Sequence, residues 1–393
     1  MRKLPIALMV LGHTVVDASQ NILPVLLPLL QKRFDLSYTQ IGLAVALLTI
    51  SSSMIQPVFG WVSDRWNTQW FIPAGIVWTG LLMGLAGLAP SYLALATVLT
   101  LTGLGTAAFH PVASMAAAYA SGAQRGLGMS FFSAGGNLGF ALGPILMTWF
   151  LGWFNLRGTL LLVVMALAAA ALIHVYRSEI EVPVQGGRRR QTADGGQVPR
   201  ALLAALCGLI ALRSWGSSGL VIFIPLYLVQ QGMALPLTGR ALFVFLFFGA
   251  FGGLLGGHLS DRIGRQRVIA GSLLTFPGLM AAALLVTGGA RWFLLAMAGM
   301  ALLASFSVTV VFAQELLPRH VGLASGLTFG LSFGMGGLGV WISGVVADLL
   351  GLATSVWILV LLPGIGGMVA LCLRPRRGMP AGRQEGRSPR LTE

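Results

Sequence analysis

The stretch LGHTVVDASQ, residues 11–20, places His13 and Asp17 inside an apolar run that extends from Pro5 to about Leu30. Residues three, four or seven apart on a helix share a face, so His13, Asp17 and Gln20 or Asn21 form one polar stripe. An imidazole beside a carboxylate can take up and hand on a proton, since histidine titrates near neutral pH and a carboxylate responds to burial and to neighbouring cations. His110, in AAFHPVASM, is a third titratable group in apolar surroundings, and Pro111 after it removes a backbone hydrogen bond and bends the helix. Asp17 and His110 are the candidates for proton coupling, with His13 as a supporting partner of Asp17. Arg213, in LRSWGSS, cannot shed its charge and needs an anion, carbonyls or water. It is the candidate for holding a substrate phosphonate or carboxylate, or for pairing with Asp17. Gln20, Asn21 and Gln314 are weaker candidates for the same cavity.

These residues must be carried by membrane helices. The chain has 393 residues, 56% hydrophobic and only 9% charged, with mean hydropathy +0.84, values outside the soluble globular range. Its apolar segments run for 18 residues or more, long enough to cross about 30 Å of hydrocarbon, and lack the short alternating pattern of a β-barrel. Twelve spans are predicted, at 5–31, 40–62, 69–89, 92–119, 127–151, 158–176, 201–229, 237–258, 267–287, 292–316, 321–347 and 352–373. The first is too long for a signal-peptide core and has no small-residue cleavage site, so it is read as part of the mature protein. A charge at mid-bilayer costs about 2.5–3.5 kcal/mol, which makes Asp17 and Arg213 functional candidates rather than accidents.

The formal net charge is +14. With both termini cytoplasmic, nineteen of the 25 Lys and Arg fall in inner segments, five in outer ones, and Arg213 within a span. That is the positive-inside pattern of a membrane protein, and nucleic-acid binding is not needed to explain it. Cys207 and Cys372 both lie in spans, so neither a disulfide framework nor a spaced metal-ligand cluster is predicted.

The polar, Arg- and Gly-rich segment 177–200 separates six spans from six. The predicted organisation is an N-terminal six-helix bundle (1–178), a cytoplasmic linker (179–200), a C-terminal six-helix bundle (201–375) and a cytoplasmic tail (376–393). The halves repeat each other: GWVSDRW at 60–66 and GHLSDRI at 257–263 share Gly, Ser, Asp and Arg at an offset of 197, as do Pro28 and Pro225. Repeated halves place a substrate site between them near the bilayer midplane. The same offset carries Asp17 to Ser214, neighbour of Arg213.

Twelve spans in two halves, with these loops after the second and eighth, resemble the major facilitator superfamily and its loop signature G-x-x-x-D-R-x-G-R-x-R/K. The second copy is complete through Gly257, Asp261, Arg262, Gly264, Arg265 and Arg267, whereas the first has Asn67, Thr68 and Gln69 where the signature ends. GHTVVDASQ, LLQKRFDLSYTQIGL, QPVFGWVSD, FHPVASM, GGNLGFALGP, FAQELLP and SFGMGGLG, in that order, are similar to the fosmidomycin-resistance type of drug-efflux protein. Val112 and Met115 depart from that type, which can carry an acid and a base there.

The resemblance implies an all-α fold of two pseudo-symmetric six-helix bundles. It implies proton-driven antiport of small antibiotic-like compounds out of a bacterial cell across its inner membrane. Small-molecule substrate, protons and lipid are the partners, the carrier is read as a monomer, and no cofactor is involved. It also implies a state-dependent cytoplasmic gate of Asp64, Arg65, Asp261, Arg262, Arg265 and Glu315. Gly135, Gly139, Gly143 and Pro144, spaced by four, suit close helix packing, and they resemble an antiporter signature whose further Gly-Gly is replaced by Met147 and Thr148. GMGGLG at 334–339 reads as packing, since no strand precedes it. The R-x-x-x-G arginine of many drug antiporters is missing from LTGLGTAAFHP, which leaves His110 as the nearest proton carrier in that helix.

Other readings are a symporter or facilitator of sugars or organic acids, and a membrane receptor, though neither linker nor tail can hold a signalling domain. An enzyme is not indicated, as no nucleophile elbow, metal cluster or phosphate loop occurs.

Overall fold

The computed structural model describes residues 1–63, 65–180, 200–316 and 321–373. Asp64, most of the linker and the tail therefore lie outside the described residues. Among the described residues are fourteen α-helices and no strand. This follows from the composition, because a segment surrounded by hydrocarbon must satisfy every backbone group internally. Among the described residues, ten stretches are long and apolar enough to cross a bilayer. One of them, Leu127–Val175, holds two helices, α7 (Arg125–Phe154) and α8 (Leu161–Val175), on either side of a 3-10 segment at Asn155–Leu160. The apolar helix α5 (Phe71–Ala86) is shorter, at 16 residues.

The first two predicted spans are each broken. Residues 5–31 form α1 (Lys3–Gln20) and α2 (Leu23–Phe34), and residues 40–62 form α3 (Tyr38–Met54) and α4 (Gln56–Ser63). The first break falls at Pro24, which has no N–H for the Gln20 carbonyl and sits in the first turn of α2, while the Asn21 side chain at the break donates to the Phe140 carbonyl of α7 instead of facing a cavity. The corresponding helix of the second half, α9 (Arg200–Gln230), runs unbroken. The remaining helices are α6 (Tyr92–Ser121), α10 (Leu235–Ile263), α11 (Arg265–Leu285), α12 (Gly289–Leu316), α13 (Val321–Leu350) and α14 (Leu352–Cys372). The two repeated serines make the same local bond: Ser63 Oγ donates to the Gly60 carbonyl and Ser260 Oγ to the Gly257 carbonyl.

The chain start, the end of α6 and the end of α8 share one face of the molecule. The Arg2 amide donates to the Ala120 carbonyl, its guanidinium pairs with Glu179, and Gln69 donates to the carbonyls of Arg177 and Ile180. The helices of the two halves meet towards the opposite, far face. There Gly42 of α3 lies on the backbone of Val340 and Trp341, Gly344 of α13 on Tyr38, and Gly239 of α10 on Thr148 and Pro144. A Cβ at Gly42 or Gly344 would come within 2.8 Å of backbone, so only glycine permits these crossings. One apolar core joins α2 with α9 and α10.

A polar contact completes the far-face closure. Asp348, near the end of α13, accepts from the amides of both Tyr38 and Thr39 at 2.8 Å, so a carboxylate of the second half caps the start of α3 in the first. Ser37 and Gln40 cap the same helix reciprocally from within. Losing a cap costs about 1 kcal/mol, which is roughly a fivefold change in a two-state ratio. Asp348→Ala should accordingly raise the far-face-open population about fivefold, read as the long-distance fraction between spin labels at Ser91 and Leu350. An unchanged distance distribution would remove the latch role.

Candidate proton and substrate site

Three glycines and three small backbone patches bring α1 and α7 together. Gly135, Gly139 and Gly143 lie over the carbonyls of Val10, Thr14 and Ala18, where a Cβ would sit 2.8, 2.3 and 2.6 Å from oxygen. Four-residue spacing on one helix thus meets four-residue spacing on the other, and Thr14 Oγ1 donates across the seam to the Gly135 carbonyl at 2.9 Å. Gly136, one residue round the helix, passes directly over His13 and Asp17.

At this seam Asp17 stands between two imidazoles. Its Oδ2 is 3.3 Å from His13 Nε2, and its Oδ1 is 3.2 Å from His110 Nε2 on α6. His13 Nδ1 is 2.8 Å from the Phe132 carbonyl, and the ring stacks on Phe132 with centroids 4.2 Å apart. His110 Nδ1 is 3.0 Å from the Thr106 carbonyl of its own helix, and the two imidazoles meet edge to face at 5.0 Å. The sequence spacing shows no such grouping, since one member comes from a helix 93 residues away; yet one side-chain atom from each residue lies within 4.8 Å of the others. The side chains of His13, Asp17 and His110 are 11%, 19% and 24% exposed, so the cluster is largely dry but reachable, most easily at His110. Hydrogen bonds among the three offset the cost of placing charge in hydrocarbon.

Thr106 is the residue that sequence reasoning missed. Its carbonyl faces His110, its hydroxyl accepts from Gln20, and Thr79 of α5 lies 3.4 Å from that hydroxyl. Its position four residues before His110 was the available signal. Gln20, three residues after Asp17, thus reaches the same threonine whose carbonyl faces His110.

Arg213 lies elsewhere. It is 2% exposed, with Nη2 donating to Ser214 Oγ at 3.1 Å and Ser332 Oγ at 3.0 Å, and its guanidinium carbon 4.7 Å from the centre of the Phe306 ring. Its Nε has no partner, and among the described residues no carboxylate lies within 4 Å of it. The expected pairing with Asp17 is not present in this conformation. The repeat explains the placement: adding 197 to Asp17, Phe109 and Gly135 leads to Ser214, Phe306 and Ser332. The second half has built a fixed cation where the first built a titratable cluster.

Between the two sets of helices, α7 and α10 diverge below their Pro144–Gly239 contact. They enclose a cleft of about 530 Å³ lined by Ser130, Ser133, Asn137, Phe247, Phe251 and Ser307 among others. These residues lie in the parts of α7 and α10 nearer the chain-start face. Gln314 sits farther along α12, partly buried, one residue before Glu315.

At the chain-start face, Arg265 pairs with both Asp261 and Glu315, the latter at 3.2 Å, and donates to Ser260 Oγ. The arginine that meets Glu315 is thus Arg265, not Arg262, because Arg265 opens α11 and points back across the loop while Arg262 ends α10. Arg65 lies over the Trp61 ring at 4.0 Å, and Asp64 is outside the described residues. All of these described contacts are internal to one half.

A family model described as Major Facilitator Superfamily matches residues 9–339 and 206–392. An uncharacterized MFS-type transporter, YfnC, of Bacillus subtilis (strain 168) is 35% identical over 372 residues, covering 90% of this chain and 89% of that one. The fosmidomycin resistance protein of Escherichia coli (strain K12) is 33% identical over 353 residues, covering 86% and 85%. Among solved structures, a bacterial homolog of the human lysosomal transporter Spinster, in an inward-facing and occupied conformation, superposes with a TM-score of 0.80. It is 17% identical over 94% of this chain and 96% of that one.

Proposed function

Since the chain belongs to the major facilitator superfamily and is a multi-pass membrane transporter, not an enzyme, we propose that it is a proton-coupled antiporter exporting small antibiotic-like compounds. The chain-start face is the cytoplasmic one in this reading, as the basic residues indicate, and the membrane is a bacterial inner membrane in which the carrier acts as a monomer. The observation that carries the reading is the His13–Asp17–His110 cluster, a dry but reachable group that can bind and release protons. The name of the Escherichia coli relative supports an antibiotic as cargo.

Antiport demands that substrate and protons exclude each other, since ligands that bind together are carried together. The cluster offers that exclusion. Once its protons are gone, two imidazole lone pairs and a carboxylate present acceptors to the hydrogen-bond donors of a substrate, so both ligands contend for the same atoms. Arg213 provides the place for an anionic end, because a buried guanidinium with no counter-ion among the described residues gains most from an oxyanion. The cleft between α7 and α10 is the route from the cytoplasmic face, and rocking of the halves about the far-face contacts exposes the site alternately.

Proton movement on binding tests the direction of coupling. Adding a transported antibiotic to the detergent-solubilised protein in weak buffer should release protons; uptake would overturn antiport in favour of symport. In a susceptibility and export panel that includes fosmidomycin, Arg213→Ala should weaken handling of anionic compounds about tenfold, the loss expected for one charge-assisted contact of ~1.4 kcal/mol. If anionic compounds are handled unchanged, Arg213 is not their partner.

A further inference from the structure

The hydrogen bonds around Asp17 count its protons. A backbone carbonyl only accepts, so the short contacts from Nδ1 of His13 to Phe132 O and from Nδ1 of His110 to Thr106 O require hydrogen on both Nδ1 atoms. That leaves Nε2 as the one exchanging nitrogen of each ring. Both Nε2 atoms face Asp17, on different carboxylate oxygens, at 3.3 and 3.2 Å. A neutral ring protonated at Nδ1 would turn a lone pair towards carboxylate lone pairs at that distance. Each of the two links therefore holds only with a proton in it, whether that proton rests on nitrogen or on oxygen.

The surroundings add none of the missing hydrogen. Among the described residues, Thr106 and Phe109 of α6 and Phe132 and Gly136 of α7 touch the cluster, and none of them titrates. His13, Asp17 and His110 are the titratable groups present there. The links also differ in access. His13 is tied to Phe132 O, stacked on the Phe132 ring and roofed by Gly136, whereas His110 is the more exposed imidazole and faces the polar Thr106 end.

We propose that the cluster is a two-proton store: with both links closed it holds two exchangeable protons and a net charge of +1, and the His110 link is the one that opens to the cavity. This rests on the proton-coupled reading but sets the capacity of the site, two, and the order in which it is used. The positions of both hydrogens are dictated by main-chain carbonyls of α6 and α7. A movement of α7 along α1 thus alters whether His13 Nδ1 keeps its carbonyl, whereas Thr106 travels with His110 on α6 and a movement of α6 breaks only the link to Asp17.

The test reads protons on the purified full-length protein in nanodiscs and needs no substrate. With His174, His258 and His320 replaced by Gln, ring-nitrogen NMR of the two remaining histidines should show four protonated nitrogens at acidic pH. On raising the pH the His110 Nε2 proton should leave first while both Nδ1 protons persist. Asp17→Asn keeps the shape but supplies one amide hydrogen to a link, so titratable proton binding should fall from two to one. His110→Gln supplies a donor from the side of α6, and should also leave one. Either ring found neutral with its hydrogen on Nε2, or an unchanged proton count in both variants, would overturn the proposal. Such a result would leave transport and its coupling to be judged by the proton release on substrate binding.

Discussion

Asp17→Asn should insert and fold normally yet lose concentrative export, by roughly 100-fold, the lower end of what removing a positioned proton-transfer group costs. The reason lies in the geometry of its two oxygens, each facing an imidazole nitrogen. Asparagine fits the same space and bridges the same nitrogens through one acceptor and one donor, so the helices stay joined. What vanishes is the carboxylate that accepts from both rings, and with it one of the two exchangeable protons. Exchange of labelled for unlabelled substrate should continue, because it needs only alternating access. The measurement is export from proteoliposomes under an imposed pH gradient, with counterflow as the folding control. An Asp17→Asn protein that still drives substrate uphill would end the role given to this residue.

Gly136→Ala should be nearly as damaging, although it adds one methyl group. The new Cβ would lie 2.5 Å from both Cε1 and Nε2 of His13 and 2.9 Å from Asp17 Oδ2. His13 cannot step aside cheaply, as its ring is held at one nitrogen by Phe132 O, at the other by Asp17, and on its face by Phe132. Overpacking of this kind costs about 1–3 kcal/mol. Here the cost falls on the proton site, and export should drop at least about tenfold with a lowered melting temperature. Gly152→Ala, where nothing lies within 4 Å of the added carbon, is the matched control and should leave both readings unchanged. Equal behaviour of the two variants would show that α7 has slack over the cluster.

Much of this was legible in the residues. Hydropathy delimits helices because hydrocarbon leaves the backbone no other choice, and spacing puts His13 and Asp17 on one face because the helix period is fixed. His110 could be named as the partner of Asp17 since few titratable groups occur in the spans. The four-residue glycine run announced a close helix crossing, though not that its partner would be Val10, Thr14 and Ala18. Contacts to main chain were not legible, as Phe132 O, Thr106 O and the amides of Tyr38 and Thr39 carry no residue signature. The use of Asn21 was hidden for the same reason, its side chain being spent on a carbonyl 119 residues away, whereas the break after Gln20 follows from Pro24. Arg213 was placed opposite Asp17 by the repeat, and the repeat is real. But equivalent positions lie in equivalent environments of separate halves, which is where the structure puts them.

The far-face contact of Asp348 has an unequal construction. Besides the main-chain amides of residues 38 and 39, Asp348 accepts from the side chains of Ser37 and Thr39, so exchanges at either hydroxyl weaken the contact while only proline removes an amide donor. One carboxylate thus serves several donors, and its loss releases all of them at once. The ease with which the far face opens is consequently adjustable at Asp348, well away from the His13–Asp17–His110 cluster and from Arg213.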